Sequence, residues 1–259
     1  ELTSKLTGTA HQILRKPDSL ASIRKAITRT IALREMVSVS GLVKVVSQIE
    51  TLPSLPDLYY TVVNELESSD PSIQRIGEAM EKDMAMSIKV LKLVNSAFFG
   101  LREHVSSPGQ AASLLGLDVL KSMVLMLHVF SEDQQLKTTG FSLNALCTHG
   151  LTVAAGAREI ATLESKDQNC IDDSFIAGLF HDVGKLVIAA NLPNQYDTVY
   201  KRIRARKISL IDAERDVLGS THAEIGAYLL ALWGFRDSVI EACAFHHTPS
   251  KSRDDRFTA

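Results

Sequence analysis

The residues of this chain with the clearest chemical potential are an adjacent histidine and aspartate, His181 and Asp182. They lie in segment 178–185, which reads Gly-Leu-Phe-His-Asp-Val-Gly-Lys. Imidazole nitrogens and carboxylate oxygens both bind transition metals, and a carboxylate has two oxygens with which it can bridge ions. Two ions about 3.5–4 Å apart can stabilise both ends of an in-line attack on phosphorus. The pair therefore indicates metal-assisted chemistry on a phosphate.

Further histidines strengthen this interpretation, because a lone His-Asp pair often arises by chance. Those in or beside predicted helices of the second half are His149, His222, His246 and His247. Helices of a bundle can project such side chains into one interior site. Several nitrogens with a carboxylate suit Fe, Mn or another transition metal. The alternative stays open, since a single helical histidine is more often a packed or surface residue. We interpret three histidines in that way: His11, His104 and His128.

The elements that must position these side chains are helices. Apolar residues recur at helical spacing along most of the chain, and period-two runs of β-branched residues are missing. Around the His-Asp pair the apolar positions at this spacing are Ile176, Leu179, Phe180, Val183 and Val187. The sequence therefore predicts an all-α fold.

Capping residues mark several of the predicted helix ends. Thr221 and Glu224 have the spacing of a capping box, which predicts a helix start at this point. Gly234 follows the apolar run and predicts the end of the same helix. Asp70, which precedes a proline, predicts another helix start as an N-cap. A polar stretch over residues 131–140 predicts a linker between two helical halves.

Composition and charge narrow the classes of partner. The chain has 259 residues, of which 45% are hydrophobic and 22% charged, as is usual for globular proteins. Its net charge of -2 argues against nucleic acid and acidic lipid as partners. The basic cluster at 201–207 lacks interleaved aromatic residues for base stacking, so it predicts a solvated helix face. No apolar run reaches the roughly 20 residues that cross a bilayer, so we expect no membrane segment.

Cysteine usage bears on the compartment. The chain has three cysteines, Cys147, Cys170 and Cys243, which are scattered and odd in number. Such a set fits a reducing cytoplasm better than a disulfide framework. We therefore expect a cytoplasmic protein.

Motifs along most of the chain resemble, in sequence and in order, those of a known family. The matching segments are 52–56, 81–83, 91–100, 114–116, 178–185, 222–227, 233–235 and 246–249. They resemble the HDOD domain, an HD-related output domain of bacterial signalling proteins within the superfamily of HD metal-dependent phosphohydrolases. The resemblance implies a two-lobed helical bundle. The expected parts are an N-terminal helical extension 1–41, an HDOD domain 42–249 with lobes 42–130 and 141–249, and a polar tail 250–259.

The same resemblance implies a set of site residues. The implied metal ligands are His149, His181, Asp182, His222, His246 and His247. Asp182 would bridge the ions, and it would be catalytic together with Lys185, which would contact a phosphate oxygen. The implied cofactor is a divalent metal such as Fe or Mn.

Two functions follow from the resemblance. Many HDOD domains have lost their metal ligands and act as interaction modules, which implies a signalling module that contacts a signalling protein partner. The alternative is a metal-dependent phosphohydrolase acting on a phosphate ester or nucleotide. After His247 the chain reads Thr-Pro-Ser-Lys, where the cyclic-di-GMP phosphodiesterase branch has Glu and a Gly-Tyr-Pro segment. The sequence therefore gives no support for cyclic-di-GMP as a substrate. HD enzymes also have a last aspartate on a later helix, whereas the two candidates here, Asp254 and Asp255, lie in a short tail without a helical pattern.

Overall fold

A computed structural model describes residues 39–49, 53, 56–66, 68, 70–96, 98–99, 101, 104–130, 138 and 140–252. Every regular element in these ranges is helical, which confirms the predicted all-α fold. Several expectations fall on residues outside these ranges, namely most of the N-terminal extension 1–41, most of the linker 131–140, and Asp254 and Asp255.

The helices follow one another with mostly short connections, and we number them in chain order. They are α1 Val39–Val46, α2 Asp57–Leu66, α3 Ile73–Glu81, α4 Met84–Val94, α5 Pro108–Leu115, α6 Leu117–Val129, α7 Leu143–Glu164, α8 Gln168–Phe180, α9 Val183–Asn191, α10 Pro193–Arg206, α11 Leu210–Leu218, α12 His222–Leu232 and α13 Asp237–Phe245. A short 3-10 turn, Pro249–Lys251, follows α13.

The chain divides into two compact units that are assembled from separate stretches of sequence. Of the described residues, the N-terminal unit contains those in 53–130 and 143–179, and the C-terminal unit contains 39–49, 138, 140–142 and 180–252. The helix α7 lies in the N-terminal unit, and the expected lobes 42–130 and 141–249 stay a prediction. In the N-terminal unit the backbones of α7 and α8 are in direct contact. A Cβ atom added to Gly178 of α8 would lie only 2.7 Å from the Cα atom of Ala154 in α7.

In the N-terminal unit, α2, α4 and α5 pack against α6, which is buried along most of its length. The predicted N-cap at Asp70 is wrong. The N-cap of α3 is Ser72, whose hydroxyl accepts a hydrogen bond from the Arg75 amide. Glu65 of α2 explains the shift, because its carboxylate accepts from the Ser72 amide at 2.9 Å and pairs with Arg75 at 2.6 Å. These bonds hold Ser72 in an extended conformation, so that α3 begins at Ile73.

In the C-terminal unit, α12 packs against α9, α13 and α1, while α10 packs against α11. The capping box at the start of α12 is confirmed. Thr221 accepts from the Glu224 amide, and the Glu224 carboxylate accepts from the Thr221 amide. Gly234 lies just beyond the end of α12 with a positive φ of 82°, a conformation that favours glycine and stops the helix.

A helix that crosses a bilayer must be both long and apolar. None of the described helices alone has both the length and the apolar character to cross one. Two consecutive helical segments, 168–191 and 193–206, are long and apolar enough when taken together, but the chain bends sharply between them.

Candidate metal centre

Three separate segments of the C-terminal unit supply the candidate ligands. The turn before α9 carries His181 and Asp182, and His222 is the first residue of α12. His246 and His247 directly follow the last residue of α13. Because α12 packs against both α9 and α13, these three helix ends meet at one place.

The centre of the cluster is one oxygen of Asp182. Its Oδ1 lies 3.1 Å from Nε2 of His222 and 3.6 Å from Nε2 of His246. Nε2 of His247 lies 3.1 Å from Nε2 of His222. Each of these four residues offers one ligand atom, and the four atoms lie within 4.8 Å of one another. Ligand atoms about 2.0–2.2 Å from a shared ion are separated by distances of this order.

The second oxygen of Asp182 faces other groups. Its Oδ2 lies 2.6 Å from Nζ of Lys185 and 3.3 Å from Nε2 of His181. The carboxylate thus has different partners on its two oxygens, which is the arrangement that a bridging ligand requires. It is almost fully buried, with 5% of its side chain exposed, whereas Lys185 is 20% exposed. The Asp182 carboxylate is therefore shielded from solvent, while its partner Lys185 is partly exposed.

Electrostatics keep the Asp182 carboxylate ionised. Burial by itself would raise the pKa of Asp182, but the surrounding imidazoles of His181, His222 and His246 outweigh it. The pKa of Asp182 therefore lies far below its usual range. An ionised carboxylate is the form that binds a metal.

His247 is electrostatically suited to the same role. Burial, together with the nearby rings of His246 and His222, lowers the pKa of His247 to about 4. Its imidazole is therefore neutral near pH 7, and a neutral imidazole is the form that ligates metals.

His246 provides the clearest evidence that the donor set suits a cation. Its Nδ1 lies 2.7 Å from the carbonyl oxygen of Cys243. A carbonyl only accepts, so Nδ1 carries the proton and Nε2 presents a lone pair towards Asp182. This Nε2 is buried and has no hydrogen-bond partner among the described residues. A buried lone pair aimed at a carboxylate and two further imidazoles fits a transition metal.

A close contact between two helices brings the ligand-bearing turns together. A Cβ built on Gly184 of α9 would collide with the carbonyl oxygen of His222 and lie 2.8 Å from the amide nitrogen of Gly226. A Cβ on Gly226 would lie 3.1 Å from Sγ of Cys243 and 3.2 Å from the amide nitrogen of Gly184. Only glycines allow α9 and α12 to approach this closely, and the approach places Asp182 beside His222.

The structure brings most of the predicted site residues together within the C-terminal unit. These are His181, Asp182, Lys185, His222, His246 and His247. His149 lies on α7 in the N-terminal unit, and its role as a ligand stays a prediction. His128 lies half-buried on α6 of that unit.

Glu214, a fully buried residue of α11, was not among the predicted site residues. Its carboxylate contacts His222 through both the backbone amide and the ring. A signal was present, because Leu210, Glu214 and Leu218 share one helix face at intervals of four residues. A charged residue in an apolar row is unusual enough to indicate a paired or functional group.

The fold and the site agree with one family. The sequence model of the HDOD domain matches residues 52–249, and the chain belongs to the HDOD family. An uncharacterized protein of Treponema pallidum (strain Nichols) is 28% identical over 205 residues, which are 78% of this chain. The match spans only 39% of the length of that relative.

Two solved structures show the same fold. An HDOD domain protein of Geobacter sulfurreducens is 24% identical, with a TM-score of 0.67 over 88% of this chain and 72% of that one. A Marinobacter aquaeolei protein, provisionally named a signal transduction protein, is 21% identical. Its TM-score is 0.60 over 91% of this chain and 52% of that one.

Proposed function

We propose that this chain is a bacterial signal-transduction module of the HDOD type whose C-terminal unit binds a divalent transition metal. The observation that carries the proposal is the convergence of Asp182 with the Nε2 atoms of His222, His246 and His247. Family membership supports the signalling role, as does the provisional name of the Marinobacter relative. Among divalent transition metals, Fe and Mn suit a ligand set of three imidazoles and one carboxylate.

The module would act through contacts with a signalling protein. A bound ion would join the turn before α9, the start of α12 and the end of α13, which are distant in sequence. Metal loading would therefore stabilise the packing of these helices, because an ion that binds only the folded state adds its binding free energy to stability. The surface offered to a partner would then depend on the metal.

Metal analysis combined with a phosphodiester assay tests this proposal. We expect the chain, purified without chelators and supplied with Mn²⁺ or Fe²⁺, to hold stoichiometric metal. We also expect its melting temperature to fall when a chelator removes the ion, because the imidazoles and Asp182 lose their shared cation. Elemental analysis and thermal unfolding provide the two readouts.

The assay distinguishes the module from an enzyme. Under the proposal, bis(4-nitrophenyl) phosphate is not hydrolysed by the metal-loaded chain. Stoichiometric metal together with turnover that disappears in His181→Ala would overturn the assignment in favour of an enzyme. A chain that takes up neither ion would overturn the metal site itself.

A second candidate function is a metal-dependent phosphohydrolase acting on a phosphate ester or nucleotide, and the position of Lys185 favours it. Its ammonium lies 2.6 Å from Asp182 at the partly exposed edge of the site, where a phosphate oxygen would approach. When bound, the metal would act as a Lewis acid towards a phosphoryl oxygen. Lys185 would neutralise charge that develops on the phosphate, while Asp182 would hold the ion.

Lys185→Met distinguishes the roles of the two residues under this second candidate. We expect turnover to fall by about 100-fold or more, as when one stabilising donor is removed from a transition state. Metal content should not change, because Lys185 cannot ligate as an ammonium. Kinetics and elemental analysis check the two effects, with Lys201→Met on exposed α10 as the control. Equal turnover in the two variants would contradict the assigned role.

A further inference from the structure

We propose that Glu214 is a positioning residue of this site: it fixes the ring of His222 so that Nε2 faces Asp182 and a bound ion. The inference rests on the proposed metal site and extends it beyond the groups that touch the ion. It assigns a role to a carboxylate that belongs to none of the sequence motifs.

The contact between Glu214 and His222 is specific to one oxygen. Oε2 of Glu214 accepts from the backbone amide of His222 at 2.9 Å and lies 2.8 Å from its Nδ1. Both side chains are fully buried, with 0% exposure. A carboxylate in this position accepts the Nδ1 proton, so the main chain and the ring of the first residue of α12 are held by the same atom.

The other ring nitrogen is thereby aimed at the metal centre. Nε2 of His222 lies 3.1 Å from Oδ1 of Asp182 and 3.1 Å from Nε2 of His247. Rotation of the ring by a half-turn about its bond to Cβ would break the bond to Glu214 and withdraw the nitrogen from Asp182. Metal-binding histidines commonly donate their second ring N–H to a carboxylate, which sets the tautomer and raises the basicity of the ligand.

The complete burial of Glu214 also indicates that its carboxylate has a specific stabilising partner. Among the described residues, His222 is the ion-pair partner of Glu214, and no lysine or arginine is paired with it. A fully buried carboxylate without a cationic side chain is costly unless other groups stabilise it. The N-terminus of α12 and the His222 ring supply that stabilisation, and a metal on Nε2 would add to it.

Helix capping alone does not account for Glu214, because α12 already has a capping glutamate. Oε2 of Glu224 accepts from the Thr221 amide at 3.0 Å and from the Ser220 hydroxyl at 2.7 Å. Within the part of the chain that the structure describes, Glu224 bonds to no histidine ring, whereas Glu214 contacts both the backbone and the ring of His222. Both glutamates contact the start of α12, but only Glu214 is bonded to the ring of the proposed metal ligand His222.

This difference provides a matched pair of variants, Glu214→Gln and Glu224→Gln. Each retains the size of the side chain and its carbonyl acceptor and removes one negative charge. In the metal-free full chain, the ¹H–¹⁵N spectrum of the histidine rings should show a proton on Nδ1 of His222. We expect this signal to shift in Glu214→Gln and to stay in place in Glu224→Gln.

Titration with Co²⁺ supplies the second readout, because its visible absorption reports the ligand set. Loss of an outer partner of a metal ligand typically weakens binding by about 10- to 100-fold. We expect a loss in that range, with a changed cobalt spectrum, for Glu214→Gln and unchanged binding for Glu224→Gln. Equal behaviour of the two variants in both readouts would overturn the proposal. If the unmodified chain binds no Co²⁺, the metal site fails, and the Nδ1 signal still decides the role of Glu214.

Discussion

Asp182→Ala is expected to abolish metal binding. The carboxylate supplies the only anionic donor of the four-residue cluster, and its Oδ1 lies within 3.6 Å of two imidazole nitrogens. Loss of even an outer partner weakens metal binding by about 10- to 100-fold, so loss of this ligand should cost more than about 100-fold. Elemental analysis after dialysis, together with a Co²⁺ titration, measures the effect.

Two further variants show whether the loss is specific. Asp182→Asn retains the shape and one oxygen acceptor but removes the charge, so it should also lose the metal while the C-terminal unit remains folded. His128→Ala removes a half-buried histidine of the N-terminal unit and should leave metal content unchanged. Equal losses in Asp182→Ala and His128→Ala would mean that the site has been assigned to the wrong residues.

Gly184→Ala is expected to destabilise the protein and to lose metal at the same time. The added methyl group would collide with the carbonyl oxygen of His222, so α9 and α12 must separate. Overpacking typically costs 1–3 kcal/mol, and because the contacts here are backbone atoms we expect about 3 kcal/mol or more. Separation would also move Asp182 away from His222. Denaturant unfolding and elemental analysis check the two consequences.

Gly156→Ala is the matched control for this substitution. Gly156 lies in the interior of α7 and is exposed, and a Cβ built on it meets nothing within 4 Å. Alanine is favoured over glycine in a helix interior by about 1 kcal/mol, so this variant should be slightly more stable. Unfolding free energies that change alike in the two variants would contradict the close approach of α9 and α12.

The sequence predicted best the features that depend on nearby residues. The capping box of Thr221 and Glu224 spans four residues and was correct, because both bonds are made within one turn. The N-cap at Asp70 was wrong, because a side chain from the preceding helix, Glu65, decides where α3 begins. The helix propensities and capping preferences of residues 70–73 give no information about a contact with Glu65.

The division into units could not be read from the sequence for a similar reason. Residues 143–179, which follow the polar stretch at 131–140, pack with the N-terminal unit. The decisive contacts are between backbones, as where a Cβ on Gly150 would lie 2.8 Å from the carbonyl oxygen of Leu179. A glycine inside an apolar helix does not reveal which helix it will meet.

For the site, residue type and family resemblance predicted the ligands but not their support. The convergence of His222, His246 and His247 on Asp182 follows from the matched motifs. The apolar row of Leu210, Glu214 and Leu218 marks Glu214 as unusual, but that spacing does not show that its partner is His222 on another helix. Gly184 lies in the predicted motif 178–185. Only the three-dimensional structure shows why a glycine is needed there, namely the close approach of its backbone to His222.

An anomalous difference map from crystals of the full chain grown with Mn²⁺ tests the metal centre most directly. We expect a peak within bonding distance of Oδ1 of Asp182 and of Nε2 of His222, His246 and His247, at about 2.0–2.2 Å. A chain that binds manganese stoichiometrically but shows its anomalous peak elsewhere, with these four side chains uncoordinated, would contradict it.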